Sequence, residues 1–68
     1  MKVELNGKQV ELDQGATVAD AVAGAGANPE RRGVAVAIDG EVVPRSAWQE
    51  TVLREGAKIE VVTAVQGG

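Results

Sequence analysis

Two dipeptides constrain this chain more than anything else in it: Asn6-Gly7 and Asp39-Gly40. Each is a favoured pair for a two-residue type I′ turn, whose central positions both need positive φ. Each is flanked by segments that alternate apolar and polar residues, the pattern of a half-buried strand. A two-residue turn also fixes register. In the first hairpin Val3 faces Val10 and Leu5 faces Lys8, which puts Met1, Val3, Leu5, Val10 and Leu12 on one apolar face. Lys2 lies opposite Glu11 on the other face, a small favourable cross-strand pair. In the second hairpin, Val34 to Val43, Ile38 faces Glu41 and Val36 faces Val43. Pro44 stops that ladder because it has no N–H to donate.

Between the hairpins the period changes from two to 3.6. Asp13 to Ala16 forms a connector, and Thr17 reads as an N-cap with Asp20 at N3, an approximate capping box. Val18, Ala21, Val22 and Ala25 then make one apolar stripe at helical spacing. Gly24 and Gly26 end the helix near residue 24. A helix this short must pack on a sheet to persist. Gly24 to Gly33 reads as a loop. Its Gly24-x-Gly26 is followed by no GK[ST] and launches no helix, so it is not a phosphate cradle, and Arg31-Arg32 reads as a solvated pair. After Pro44, Ser46 with Gln49 three residues on resembles a capping box over a single helical turn. That turn tips Trp48 inward as the one large ring of a core made otherwise of aliphatic side chains. Val52-Leu53 reads as a short edge piece and Glu55-Gly56 as the turn into the last strand. In that strand Ile59, Val61, Thr63 and Val65 fall on one face, towards the helix.

A helix between two hairpins must lie across one sheet face to bury both apolar surfaces. The last strand can pair parallel with the first, because the helical crossover supplies the length that parallel pairing requires. The expected architecture is α+β: a mixed five-stranded sheet packed on one helix, the ubiquitin-like β-grasp. Its expected extent is residues 1–65, with 66–68 as a flexible C-terminal tail.

Composition narrows the chemistry. The 68 residues contain no Cys, His or Tyr, and Trp48 is the sole aromatic. The commonest neutral-pH acid/base and the commonest metal ligand are therefore missing, as is a base-stacking platform. The net charge of −3 argues against nucleic acid and against an anionic membrane surface. The amino-terminal residues lack a signal peptide's apolar segment. These features lead us to expect a cytoplasmic domain, a monomer when free, with no bound cofactor and no enzymatic activity of its own.

The last strand runs out into Gln66-Gly67-Gly68. Three extended residues span roughly 10 Å, enough to carry a bare α-carboxylate into another protein's active site. Val43-Pro44-Arg45 with Trp48 three residues on, Gly56…Ile59-x-Val61, and the Gly67-Gly68 end together closely resemble the ThiS family of thiamine-biosynthesis sulfur carriers, over essentially the whole chain. Val-Pro-Arg-x-x-Trp is the discriminating piece, since a Gly-Gly end is shared with ubiquitin and the molybdopterin-synthase small subunit. The chain departs at Ala57, where the family often carries Asp after Gly.

The resemblance implies a mechanism. An ATP-dependent adenylating enzyme of the ubiquitin-activating type, using Mg, would adenylate the Gly68 carboxylate. Sulfur from a donor such as a cysteine desulfurase would replace AMP, and the thiocarboxylate would serve thiazole synthase. Gly68 has no Cβ to obstruct the attacking sulfur, and Gly67 lets the tail follow a channel. The tail alone is too small for a specific complex. Gln66, Val65, Ala64, Val62 and Glu60 are therefore the candidate partner-binding residues. A carrier of the molybdopterin-synthase type and a non-catalytic β-grasp interaction domain remain alternatives.

Overall fold

The computed structural model describes residues 1–27 and 33–63. Both Asx-Gly pairs turn as their composition requires, with φ of 50° and 82° at Asn6 and Gly7 and of 51° and 86° at Asp39 and Gly40. The first joins β1 (Lys2–Leu5) to β2 (Lys8–Glu11). The register is the expected one, with Val3 opposite Val10 and Leu5 opposite Lys8. The second joins β3 (Val34–Ile38) to β4 (Glu41–Val43), with Val36 opposite Val43 and Ile38 opposite Glu41. The last strand, β5 (Lys58–Thr63), lies between the hairpins: parallel to β1 and antiparallel to β3. The order β2-β1-β5-β3-β4 gives one mixed five-stranded sheet with the C-terminal strand at its centre.

The helix α1 (Val18–Gly24) carries the capping box read from Thr17 and Asp20: the Thr17 Oγ1 accepts from the Asp20 N–H, and the Asp20 carboxylate accepts from the Thr17 N–H at 2.9 Å. The other first-turn donors are also met. Val18 N–H donates to the Thr51 carbonyl and Ala19 N–H to that of Trp48. At the far end Gly26 (φ 84°) donates to the Ala23 carbonyl and Ala27 to that of Val22. This is a Schellman closure, and it assigns Gly26 a capping role in place of any phosphate cradle. The helix therefore ends one residue before Ala25, which is its exposed C-cap. The expected stripe stops at Val22, and Ala27 packs against the core in Ala25's stead.

Val3, Val18, Val22, Val36 and Ile59 form the centre of the core, each almost fully buried between sheet and helix. Trp48 closes one end, 3 % exposed. Two expectations about the flanking segments need correction. The 3₁₀ turn Arg45–Ala47 has Pro44 at its N-cap and no side-chain cap bond, so Ser46 and Gln49 form no capping box. Proline already holds φ at −63° and supplies the carbonyl that Ala47 N–H reaches, so the turn needs no hydroxyl. Val52 joins no sheet. It forms an isolated antiparallel bridge with Thr17, while Leu53 turns inward and is buried.

Candidate functional site

β5 carries the chain towards the candidate tail, and the alternation along it is half as expected. Ile59 and Val61 are buried beneath the helix, but Thr63 is exposed. The reason is length. Seven helical residues cover about 10 Å, whereas the six residues of β5 run about 20 Å, so the strand outlasts its cover. Residues Ala64, Val65, Gln66, Gly67 and Gly68, proposed from the sequence for docking and chemistry, lie outside the described residues, as do Arg31 and Arg32.

Both turns hold β5 by side chains, which sequence reasoning missed. On the β1 side the backbone ladder runs Gly56 N–H to Lys2 carbonyl, Glu4 N–H to Ala57 carbonyl and Asn6 N–H to Ile59 carbonyl. The Asn6 carboxamide then takes the next rung. Its Oδ1 accepts from Val61 N–H at 2.8 Å, and its Nδ2 donates to the Val61 carbonyl at 3.2 Å. On the β3 side Asp39 N–H donates to the Lys58 carbonyl, and the Asp39 Oδ1 accepts from Lys58 N–H at 3.1 Å. The only sequence signal was an Asx at each turn's first position, and turn chemistry alone explained it.

On the sheet face away from the helix, Val62 (62 % exposed) and Glu60 lie side by side near the end of β5, as expected from the alternation. The topology adds neighbours that the sequence did not assign. Val62 is opposite Ala35, Glu60 is opposite Ala37, and Ala37 is opposite Val42 (76 % exposed). The result is a low apolar strip with one carboxylate on it, two strands wide beyond β5. Among the described residues nothing covers it, and Val42 and Val62 stay largely exposed.

The Val43-Pro44-Arg45-x-x-Trp48 motif follows directly after the strip's Val42 and is a packing unit. Trp48 Nε1 donates to the Val43 carbonyl at 2.9 Å, which satisfies a buried indole. The Arg45 guanidinium carbon lies 4.8 Å from the ring centroid, within cation–π range. Pro44 starts the turn that brings the two together. The departure at Ala57 is absorbed in the core, where that methyl is buried.

Electrostatics at the site are plain. Among the described residues no group of three His, Cys, Asp or Glu side chains is placed to hold a metal ion. Glu11, far from the strip, accepts from the Met1 α-ammonium at 2.8 Å. That hydrogen bond and the ammonium charge hold its carboxyl below the usual glutamate range, with Lys2 adding a smaller pull. No helix among the described residues is long and apolar enough to cross a membrane.

The sequence profile of the ThiS family matches residues 3–68. The chain belongs to the ThiS family. Its β-grasp is shared with a crystal structure of the thiamine biosynthesis protein ThiS from Geobacter metallireducens, which is 26% identical. The two chains cover each other over 100% of both lengths with a TM-score of 0.75. An NMR solution structure of a thiamine biosynthesis protein from the same organism is 28% identical. It is covered over 88% of its length by 100% of this chain, with a TM-score of 0.74. No curated protein sequence matches. In this ThiS-family chain the family match extends over the strip, the Trp48 motif and the Gly67-Gly68 pair alike.

Proposed function

We propose that this chain is a sulfur carrier for thiazole formation in thiamine biosynthesis, acting as a co-substrate of other enzymes. The observation that carries the reading is the family match through residue 68, on a fold whose central strand leads directly to Gly67-Gly68. A free carboxylate is a poor electrophile. Attack of the Gly68 carboxylate on the α-phosphorus of ATP, with loss of pyrophosphate, gives an acyl-adenylate with a good leaving group. A persulfide of the donor then displaces AMP to give an acyl disulfide. A second thiol cleaves its S–S bond and leaves in a disulfide with the donor's cysteine. The thiocarboxylate freed on Gly68 delivers its sulfur to thiazole synthase. ATP and Mg belong to the adenylating partner, and the sulfur comes from a donor such as a cysteine desulfurase. With no Cys in the chain, no thiol of the carrier competes for the activated carbonyl.

Docking falls to the outer strip around Glu60 and Val62, together with Ala64, Val65 and Gln66, which follow in sequence. A tail alone buries far less than the ~800 Å² per partner of a standard complex, so the folded body must contribute. The strip's small side chains permit close approach of a partner backbone.

Intact-mass measurement after incubation with ATP, an adenylating enzyme of the ubiquitin-activating type and a sulfur source tests the chemistry. The expected result is a mass gain equal to one sulfur replacing one oxygen, lost when Gly68 is deleted. Thiolation of the deleted chain at its new end would refute the role of Gly68. Transfer to molybdopterin-synthase large subunit and not to thiazole synthase would select the other carrier pathway, and no thiolation with any partner would leave an interaction domain. For docking, Val62→Lys is expected to keep the fold and weaken calorimetric binding to the adenylating enzyme. Unchanged affinity would move the surface elsewhere.

A further inference from the structure

We propose that Asn6 is a positioning residue for the transfer reaction: its carboxamide fixes the end of β5 from which the chain runs on to Gly68. The inference rests on the carrier reading above and goes beyond it. In a parallel ladder every second residue of β1 bonds to two residues of β5, one through its N–H and the next through its carbonyl. Asn6 N–H meets the Ile59 carbonyl as that pattern requires. The rung after it belongs to Val61, but the chain turns at Asn6 with φ of 50°, and β1 is over. The carboxamide carries one acceptor and a donor, the same complement as a peptide unit. It meets both polar groups of Val61 at 2.8 and 3.2 Å. A side chain thus stands in for a residue of β1 that the turn has taken away.

Position makes this bond matter. Val61 lies two residues before the end of β5, and β3 holds the other edge out to Val34 opposite Thr63. On the β1 side, the backbone register ends at Leu5 opposite Ile59, so Asn6 is the last tie among the described residues. Gly68 is the fifth residue after Thr63, a reach of about 17 Å when extended. An end of β5 held on both edges narrows the volume that Gly68 can reach, while an end held on one edge widens it. The partner then captures only the competent fraction, and apparent affinity falls by that fraction.

The test uses the full chain, an adenylating enzyme of the ubiquitin-activating type and ATP, with pyrophosphate release followed as carrier concentration is varied. Asn6→Asp removes the donor and keeps the size. Asn6→Gly keeps the positive-φ turn and removes the clasp, so it carries the same comparison if the aspartate variant does not fold. Val3→Ala weakens the same strand from its buried side and leaves the clasp in place. Asn6→Asp and Asn6→Gly are expected to raise KM about tenfold with kcat within twofold, and Asn6→Gly, which removes the Oδ1 acceptor of the Val61 N–H as well, to lower amide-exchange protection at Val61 at least tenfold. Val3→Ala is expected to lower thermal stability with KM within twofold. Loss of Val61 protection with KM unchanged would overturn the proposal, as would a KM rise of the same size in Val3→Ala, which would reduce the effect to general stability. A wild-type chain that supports no pyrophosphate release would overturn the carrier reading itself, and the proposal with it.

Discussion

Asn6 and Asp39 stand at the first central position of two turns with nearly the same backbone, φ of 50° and 51°, each followed by a glycine at 82° and 86°. Both flank β5, one on each edge, and both reach it by side chain. They differ in how many groups of β5 they must satisfy. In the antiparallel pair one residue exchanges both bonds with the residue opposite. Asp39 does so with Lys58: its own N–H takes the carbonyl, and its carboxylate needs only to accept the N–H. In the parallel pair the bonds are staggered, and the backbone N–H of Asn6 is already used on Ile59. Its side chain must therefore serve both groups of Val61. A carboxylate only accepts; a carboxamide also donates. The turn geometry admits either residue, and strand direction decides between them.

The largest perturbation tests an anchor that the second hairpin has and the first lacks. Trp48→Ala removes the buried ring and the Nε1 bond that holds the Val43 carbonyl at the end of β4. The expected loss is about 3–5 kcal/mol, the range for deleting a buried large aromatic, read from a urea melt. A near-neutral result would mean that β4 does not depend on the indole.

Next in size is Asn6→Asp, expected to destabilise by about 1–3 kcal/mol at neutral pH, because the Val61 carbonyl loses its donor and faces a negative charge. A protonated aspartate regains an O–H to donate. The deficit relative to wild type is therefore expected to shrink as pH falls through the carboxyl range. A deficit that stays constant with pH would remove the donor from the explanation.

The mirror substitution, Asp39→Asn, keeps the acceptor that Lys58 N–H uses and tolerates the same positive φ. Its expected effect is below about 0.5 kcal/mol, the level of a neutral surface change. Equal losses at positions 6 and 39 would refute the asymmetry argued from strand direction.

The smallest effect concerns the outer strand of the first hairpin. Glu11→Gln removes the pair between that carboxylate and the Met1 ammonium. The folded chain holds this carboxyl below the ordinary glutamate value. Its contribution is thus present above the unfolded pKa and is lost as pH falls through the lowered folded one. The pair is exposed and screened by salt. The difference between wild type and Glu11→Gln in urea midpoint is expected to be small at pH 7. It should close on acidification and in 1 M salt. A difference that widened in acid would contradict the sign.

Local rules made most of the frame legible. Asn6-Gly7 and Asp39-Gly40 set two registers without reference to anything distant, since a type I′ turn depends on two residues' φ and ψ. Thr17 and Asp20 capped the helix for the same reason: donor and acceptor are three residues apart. Trp48's inward position followed from its being the one aromatic in a small chain that needs volume in its core. The apolar periods then required a sheet over a helix, and the length between hairpins allowed the parallel pairing of β1 with β5. The resemblance in Val43-Pro44-Arg45-x-x-Trp48 and Gly67-Gly68 pointed to the family that the whole-chain match bears out.

Where the reading failed, the deciding quantity was not local. Thr63 is exposed because the helix is shorter than the strand it covers, a comparison of two elements' lengths. Ala25 lost its core position to Ala27 because the Schellman turn at Gly26 redirects the chain. Ser46 was displaced as a cap by Pro44, whose carbonyl the Ala47 N–H reaches. The strip of Val62, Ala35, Ala37 and Val42 draws on three strands from positions 35 to 62, and only their order in the sheet brings them side by side. The Asn6 clasp spans 55 residues of sequence. The sequence by itself determined each turn, cap and period, because each is settled by atoms a few residues apart. The tertiary structure alone decided which side chains complete another strand's ladder, because hydrogen bonds left over at one element's end can be satisfied only by whatever the fold places beside it.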